Sequence, residues 1–280
     1  MDILQGLNQQ QKQAVESVDG PLLILAGPGS GKTRVITHRI AYLIAMRGIS
    51  PYRILAVTFT NKAAREMRER LRTLMGSTGE NVYAGTFHAF CSSVLRQEHD
   101  AAKISKSFVI YDQADQIDLM KHVLEIEGID NKQFAPSFVL STISSAKSRL
   151  IDAGTFGMQA TSYVDKTIHR TYVRYQELLS RHGALDFDDL LLRTYFLFRD
   201  NKQILEKYQS RYQHLLVDEF QDTNLVQYTI AQQITEARGN ICVVGDPDQS
   251  IYSWRNADMS NILSFKDKYP TATVIRLEEN

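Results

Sequence analysis

Apolar positions come in two patterns. Short, nearly unbroken blocks occupy both ends of the chain: PLLILA 21–26, RILAVTF 53–59, NVYAGTF 81–87, HLLVDE 214–219, NICVVGD 240–246 and TVIRL 273–277. Blocks of that length, apolar at consecutive positions, fit strands covered on both faces in a parallel sheet. Helically spaced stretches separate the first three blocks from one another, and likewise the last three. This alternation predicts a doubly wound α/β domain.

Between 88 and 213 the rhythm changes, and no strong strand is predicted. DQADQIDLMKHVLEIEG, from Asp112, carries Ile117, Met120, Val123, Leu124 and Ile126 at mostly helical spacing. Asp112 suits the N-cap and Gly128 the stop. Stretches 137–150, 164–182, 187–199 and 201–212 also read as helices. The expected organisation is an α/β domain in two parts, 1–104 and 186–280, with an all-helical insertion over 105–185.

Composition narrows the class. The chain has 280 residues, 43% hydrophobic and 23% charged, enough to bury a core. Lys+Arg and Asp+Glu both number 32, so any nucleic-acid site must be a local patch rather than a global charge. The two cysteines, Cys91 and Cys242, each lie in an apolar run and read as core thiols of a reducing compartment. No apolar run reaches membrane-spanning length, and MDILQGLNQQ lacks the regions of a signal peptide. A cytoplasmic protein with no membrane contact is expected.

Candidate chemistry begins at AGPGSGKT, residues 26–33, between a buried strand and an amphipathic helix. Backbone N–H groups of Ala26, Gly27, Pro28, Gly29, Ser30 and Gly31 (proline excepted), with the helix N-terminus, would cradle polyphosphate. Lys32 would reach the β/γ-phosphates and Thr33 would hold Mg²⁺. Ala26 stands where the strict pattern has glycine. HLLVDEFQD then places Asp218 and Glu219 at a strand's carboxyl end, where α/β sheets bind ligands. Asp218 can hold Mg²⁺ directly or through water, and Glu219 can accept a proton from the attacking water.

These motifs form an ordered set, and the chain resembles the N-terminal half of superfamily 1 DNA helicases of the UvrD/Rep/PcrA type. LNQQQKQAV 7–15 is similar to the Q-motif, AGPGSGKT to motif I, TFTNKAAREMRERL 58–71 to motif Ia, VDEFQDTN 217–224 to motif II and VGDPDQSIYSWRNAD 244–258 to motif III. GTFHAFC 85–91 and LDFDDLL 185–191 also match family segments. The resemblance implies a RecA-like P-loop NTPase sheet with helices on both faces (domain 1A) carrying a helical insertion (1B). It implies ATP with Mg²⁺ as cofactors, and Gln11 as the adenine reader. Gln249 would sense the γ-phosphate, and Tyr252 and Trp254 would face single-stranded bases, with Arg255 linking the two sites. Thr86 and His88 would be DNA contacts, although His88 also suits a core position. Arg34 would lie along the adenine, or stand exposed in the first helical turn.

Motif Ia adds a physical case for DNA. Thr60 and Asn61 can cap a helix whose N-terminus faces phosphate, and Phe59 could stack on a base. The function implied is an ATP-dependent helicase or translocase on single-stranded DNA, of 3′→5′ polarity, serving repair or replication. Its partners would be single strands and single-strand/duplex junctions, and the chain by itself would be a monomer. On this resemblance the chain is the first half of a motor: motif IV is expected directly after Asn280, and the second pair of motor domains beyond it. Alternatives are a nucleotide-gated single-strand-binding module that never unwinds duplexes, a subunit of a helicase–nuclease, and a P-loop kinase. DEFQD and QSIYSWR argue against the last.

Overall fold

The computed structural model describes residues 3–246, 262 and 264–277. In it the chain forms two compact units, one of residues 1–90 with 202–280 and one of residues 91–201. The interval 105–185 lies inside the second.

The first unit is built on six parallel strands: β1 (Leu22–Ala26), β2 (Ile54–Thr58), β3 (Tyr83–Thr86), β6 (His214–Val217), β7 (Ile241–Gly245) and β8 (Thr273–Leu277). The numbers β4 and β5 belong to the second unit, where Val109–Ile110 and Ala184–Leu185 form a short parallel pair. Strand order across the large sheet is β3-β2-β6-β7-β1-β8. Every residue of β2, β6 and β7 is buried, so both faces of the central strands are covered. This is why those segments are apolar at every position instead of alternating.

The helices of this unit are α1 (Gln9–Glu16), α2 (Lys32–Ala45), α3 (Asn61–Met75), the one-turn α4 (Ser77–Glu80), the start of α5 (Phe87–Gln97), α11 (Lys202–Arg211), α12 (Leu225–Thr235) and the one-turn α13 (Phe265–Lys268). Ala14 and Val15 of α1, Val35, Ile36 and Ile40 of α2, and Met67 and Leu71 of α3 pack on Ile24, Ala56, Leu216 and Val244. On α3 the buried positions Ala64, Met67 and Leu71 recur at three- and four-residue intervals.

The second unit is helical. It contains α6 (Gln113–Ile126), α7 (Pro136–Ser148), α8 (Ala153–Gln159), α9 (Tyr163–Arg181) and α10 (Phe187–Asp200). Its core joins Leu119, Met120, Val123 and Leu124 to Val139, Ile143, Ile168, Tyr172 and Tyr175. Asp112, Ser162 and Asp186 each close a capping box at a helix start. Lys147 is buried here. It lies 2.6 Å from Asp186 Oδ2 and 2.8 Å from Asp189 Oδ1.

Cys91 and Cys242 are buried and unbridged. Among the described residues no helix is long and apolar enough to cross a membrane.

Candidate functional site

The parallel sheet sends the carboxyl ends of β1, β2, β3, β6 and β7 to one edge. The loop after β1 carries the phosphate-binding pattern. Gly29 (φ +73°) and Gly31 (φ +86°) adopt left-handed backbone there, a conformation that costs a side-chain-bearing residue energy. At Gly31 a Cβ would also meet Gln11 Nε2 at 3.0 Å. Ser30 is buried, and its hydroxyl donates to the Gly27 carbonyl at 2.7 Å, tying the loop to itself. α2 starts immediately after, so its first N–H groups face the loop.

Gln11 joins the N-terminal helix to this loop. Its Nε2 donates to the Ser30 carbonyl at 2.9 Å, and its Oε1 accepts from the Asn8 N–H at 3.1 Å. Asn8 Oδ1 in turn accepts from the Gln11 N–H, completing a capping box on α1. Arg34 is exposed on the first turn of α2, and its guanidinium reaches close to Gly6.

Lys32 lies between two acids. Its Nζ is 3.6 Å from Glu219 Oε2 and 4.0 Å from Asp246 Oδ2. Glu219 follows β6 in the left-handed region (φ +51°). A non-glycine residue held there, at a strand end facing a lysine, is the kind of local strain that functional sites store. Gln221 connects the acids. Its Nε2 donates to Glu219 Oε2 at 2.7 Å, and its Oε1 accepts from the Asp246 N–H at 3.0 Å. Because β7 stands between β6 and β1, Asp246, directly after β7, shares this edge with the acid pair and the lysine.

Asp218 is buried. Its Oδ2 accepts from the Thr33 hydroxyl at 3.3 Å and its Oδ1 from the Glu219 N–H at 3.0 Å. Burial, then the neighbouring charge of Glu219, pushes its carboxyl up to about 7. The same two causes lift Asp222 to about 6. A buried carboxyl beside a hydroxyl, both hard oxygen donors, suits Mg²⁺, which keeps several waters and takes oxygens from substrate phosphates rather than from a protein cage. No cluster of three or more His, Cys, Asp or Glu side chains arranged for a metal occurs among the described residues. The residues present therefore fit a magnesium–nucleotide complex.

The expected DNA contacts at the neighbouring strand ends occupy the same edge. Phe59 follows β2 and is half-buried. Exposed Thr60 caps α3, its hydroxyl accepting from the Ala63 N–H at 3.1 Å, and Asn61 is the first residue of that helix. Thr86 ends β3, its hydroxyl accepting from the Ala89 N–H at 3.1 Å, and His88 is half-buried on the first turn of α5. Gln249, Tyr252, Trp254 and Arg255 lie outside the described residues.

A family model, the UvrD/REP helicase N-terminal domain, matches residues 7–270. The chain belongs to this family. It is 49% identical over 278 residues to the ATP-dependent DNA helicase PcrA of Bacillus subtilis (strain 168), a match spanning 99% of this chain and 38% of that protein. It is 48% identical over 278 residues to the PcrA of Staphylococcus aureus (strain Mu50 / ATCC 700699) and 46% identical to that of Staphylococcus epidermidis, with the same coverage. The chain thus spans about 38% of the length of the curated relatives it matches. The RecA-like, P-loop reading of the sheet agrees with this family and with the observed parallel strands.

Two residues of the edge were not singled out from the sequence, Gln221 and Asp246. Both lie inside motif segments, in VDEFQDTN and VGDPDQSIYSWRNAD. Their signal was position: each follows a buried strand by a few residues at most, where a polar side chain must face the carboxyl edge.

Proposed function

We propose that this chain is the nucleotide-binding part of an ATP-dependent DNA helicase that moves on single-stranded DNA. The observation that carries the proposal is Lys32 poised between Glu219 and Asp246, next to the Thr33–Asp218 pair, at the mouth of a glycine-rich loop. The relatives bear the name ATP-dependent DNA helicase, which supports it.

When bound, magnesium–ATP supplies the phosphoryl group and the charge neutralisation that its transfer to water needs. Thr33 and Asp218 hold the cation. Lys32 has two competing kinds of partner: the acids it pairs with now, and the phosphates. Once Lys32 turns to phosphate, the Glu219 carboxylate is left to its hydrogen bond from Gln221 and is free to take the water proton. Gln221 orients that carboxylate through the same oxygen, Oε2, that faces Lys32. Gln11 has one amide N–H and one carbonyl lone pair in reserve beyond its present bonds. Those suit the paired acceptor and donor of an adenine edge, with Arg34 alongside. Gln249 senses the terminal phosphate.

DNA is assigned to the ends of β2 and β3. The N-terminus of α3, with Thr60 and Asn61, meets phosphate; Phe59 stacks on a base; Thr86 and His88 extend the track. Tyr252 and Trp254 face further bases, and Arg255 connects them to the nucleotide.

The test is hydrolysis of ATP by the chain with and without single-stranded DNA, beside binding of fluorescent ATP. Glu219→Gln should keep nucleotide binding and lose roughly 10²–10⁴ of the hydrolysis rate, the usual share of a general base. Hydrolysis unchanged in that variant, or no nucleotide binding by the wild type, would sink the proposal.

A further inference from the structure

One side chain on the site's own row of the sheet has no hydrogen-bond partner. Thr58 ends β2. Its register partner on β3 is Thr86. On the other side the β2–β6 ladder pairs Val57 with Val217, and the Asp218 N–H donates to the Val57 carbonyl at 2.9 Å. That bond belongs to the Val57–Val217 pair, the last of the ladder; Thr58 and Asp218 are each the next residue along, on neighbouring strands. Register partners in a parallel sheet present their side chains on the same face, one strand spacing apart, about 4.8 Å. That face is the one under α2 and α3, where Ala56 and Leu216 pack on Val35, Ile36 and Met67. It is also the face from which Thr33 reaches Asp218.

The two neighbours of Thr58 are both engaged. Thr86 accepts from Ala89. Asp218 accepts from Thr33 and from the Glu219 N–H, two bonds on a carboxylate that offers about four lone-pair sites. Thr58 is 1% exposed, and its hydroxyl is buried with no partner. A buried hydroxyl without a partner is destabilising, and valine would fill nearly the same volume without that cost. In a strand otherwise made of Ile, Leu, Ala and Val, the one hydroxyl is placed next to the carboxyl that needs donors.

We infer that Thr58 is a positioning residue of the nucleotide site: its hydroxyl donates to the Asp218 carboxylate, or to a water held by it, when magnesium and nucleotide occupy the phosphate loop. The inference rests on the nucleotide-site function proposed above. Thr58 acts through Asp218 and touches neither phosphate nor the attacking water. Because Phe59 and Thr60 follow it directly, the same hydrogen bond would tie the metal side of the site to the strand end assigned to DNA.

The test is binding of a fluorescent ADP to the whole chain, with magnesium and with EDTA, together with thermal melting without ligand. The variants are Thr58→Val, which removes the hydroxyl, and Thr58→Ser, which keeps it. Wild type and Thr58→Ser should bind more tightly with magnesium than with EDTA. Thr58→Val should lose roughly tenfold or more of that enhancement, as expected for a hydrogen bond to a charged group. Its affinity in EDTA should stay within about twofold, and it should melt no lower than wild type because it no longer buries an unpartnered hydroxyl. A Thr58→Val protein with the full magnesium enhancement overturns the inference. So does one that melts lower and binds poorly in EDTA as well, since the hydroxyl would then serve packing, and so does a Thr58→Ser protein without the enhancement. A wild type that binds no nucleotide in either condition overturns the proposed site itself, a result separable from the other three.

Discussion

Lys32 Nζ stands 3.6 Å from Glu219 Oε2, so in this structure the phosphate-loop lysine and the candidate general base are partners. With Asp246 at 4.0 Å, the lysine's single charge is shared between two acids. Polyphosphate entering the loop competes with those acids for the same ammonium.

Lys32→Met should therefore do two separable things. Nucleotide affinity falls by roughly a hundredfold, because a desolvated cation facing phosphate has no substitute there. The nucleotide-free protein also loses stability, about 1–3 kcal/mol, because the buried Asp246 side chain and Glu219 lose the ammonium beside them. Equilibrium binding and urea unfolding check the two effects. An unaltered unfolding midpoint would show that the lysine is held by something other than this pair.

Gln11 is bonded at both ends, to the Ser30 carbonyl and to the Asn8 N–H. Gln11→Ala removes half of a capping box and leaves a loop carbonyl without its donor, a loss of about 1–2 kcal/mol in stability. It should also weaken discrimination of ATP from GTP, measured as the ratio of the two dissociation constants. If stability drops and the ratio holds, Gln11 positions the loop and reads no base.

The central strands of the sheet could be read from residues because they are buried on both faces. PLLILA and NICVVGD have no polar position to interrupt them. The pair β4–β5 could not, since two residues are too few to show any period. The phosphate loop and the Asp218–Glu219 pair were legible from local pattern. Asp246 and Gln221 were not, because their place depends on β7 lying between β6 and β1, and strand order is a property of the folded sheet. Lys147 was illegible for a related reason. In STISSAKSRL it reads as a solvent-facing helix residue, yet the partners that bury it arrive 39 and 42 residues later as Asp186 and Asp189. LDFDDLL carried that information only as a pattern, with no local reason for its acids.

Those acids make a sharp prediction for the helical unit. Lys147 is held by Asp186 and Asp189, with the Tyr175 hydroxyl also donating to Asp186 at 3.2 Å. Burial alone would favour a neutral lysine, but the two carboxylates outweigh it and hold the ammonium well above its ordinary range. Lys147→Met removes the ammonium that pairs with both buried carboxylates, leaving Asp189 only the charge of Arg193, and should cost about 3–5 kcal/mol at neutral pH. In the wild type burial already raises Asp186 to about 7 against the opposing ammonium, which holds Asp189 low; without Lys147 both acids shift upward. The stability that protonating them returns is present in acid and lost as pH rises, so the variant's deficit should shrink from pH 8 to pH 5. A deficit that is constant over that range would mean the lysine matters for packing alone.

His214 sets a pH dependence of opposite sign in the sheet unit. It opens β6 and is buried. Burial first, then Arg39, lowers its imidazole to about 4; Asp19 opposes them, and Arg238 and Arg47 add smaller lowering contributions. Unfolding releases it to an ordinary value near 6.5. Between those two values the unfolded chain binds a proton that the folded chain refuses, so stability rises with pH across the window. The contribution is complete above about 6.5 and falls away as pH drops towards 4, by about 2–3 kcal/mol between pH 7.5 and 4.5. Urea unfolding at those two pH values should show the loss in the wild type. His214→Leu, which has no proton to bind, should show a loss smaller by that amount. Equal losses in the two proteins would mean that the imidazole is protonated inside the fold, with Asp19 governing it rather than Arg39.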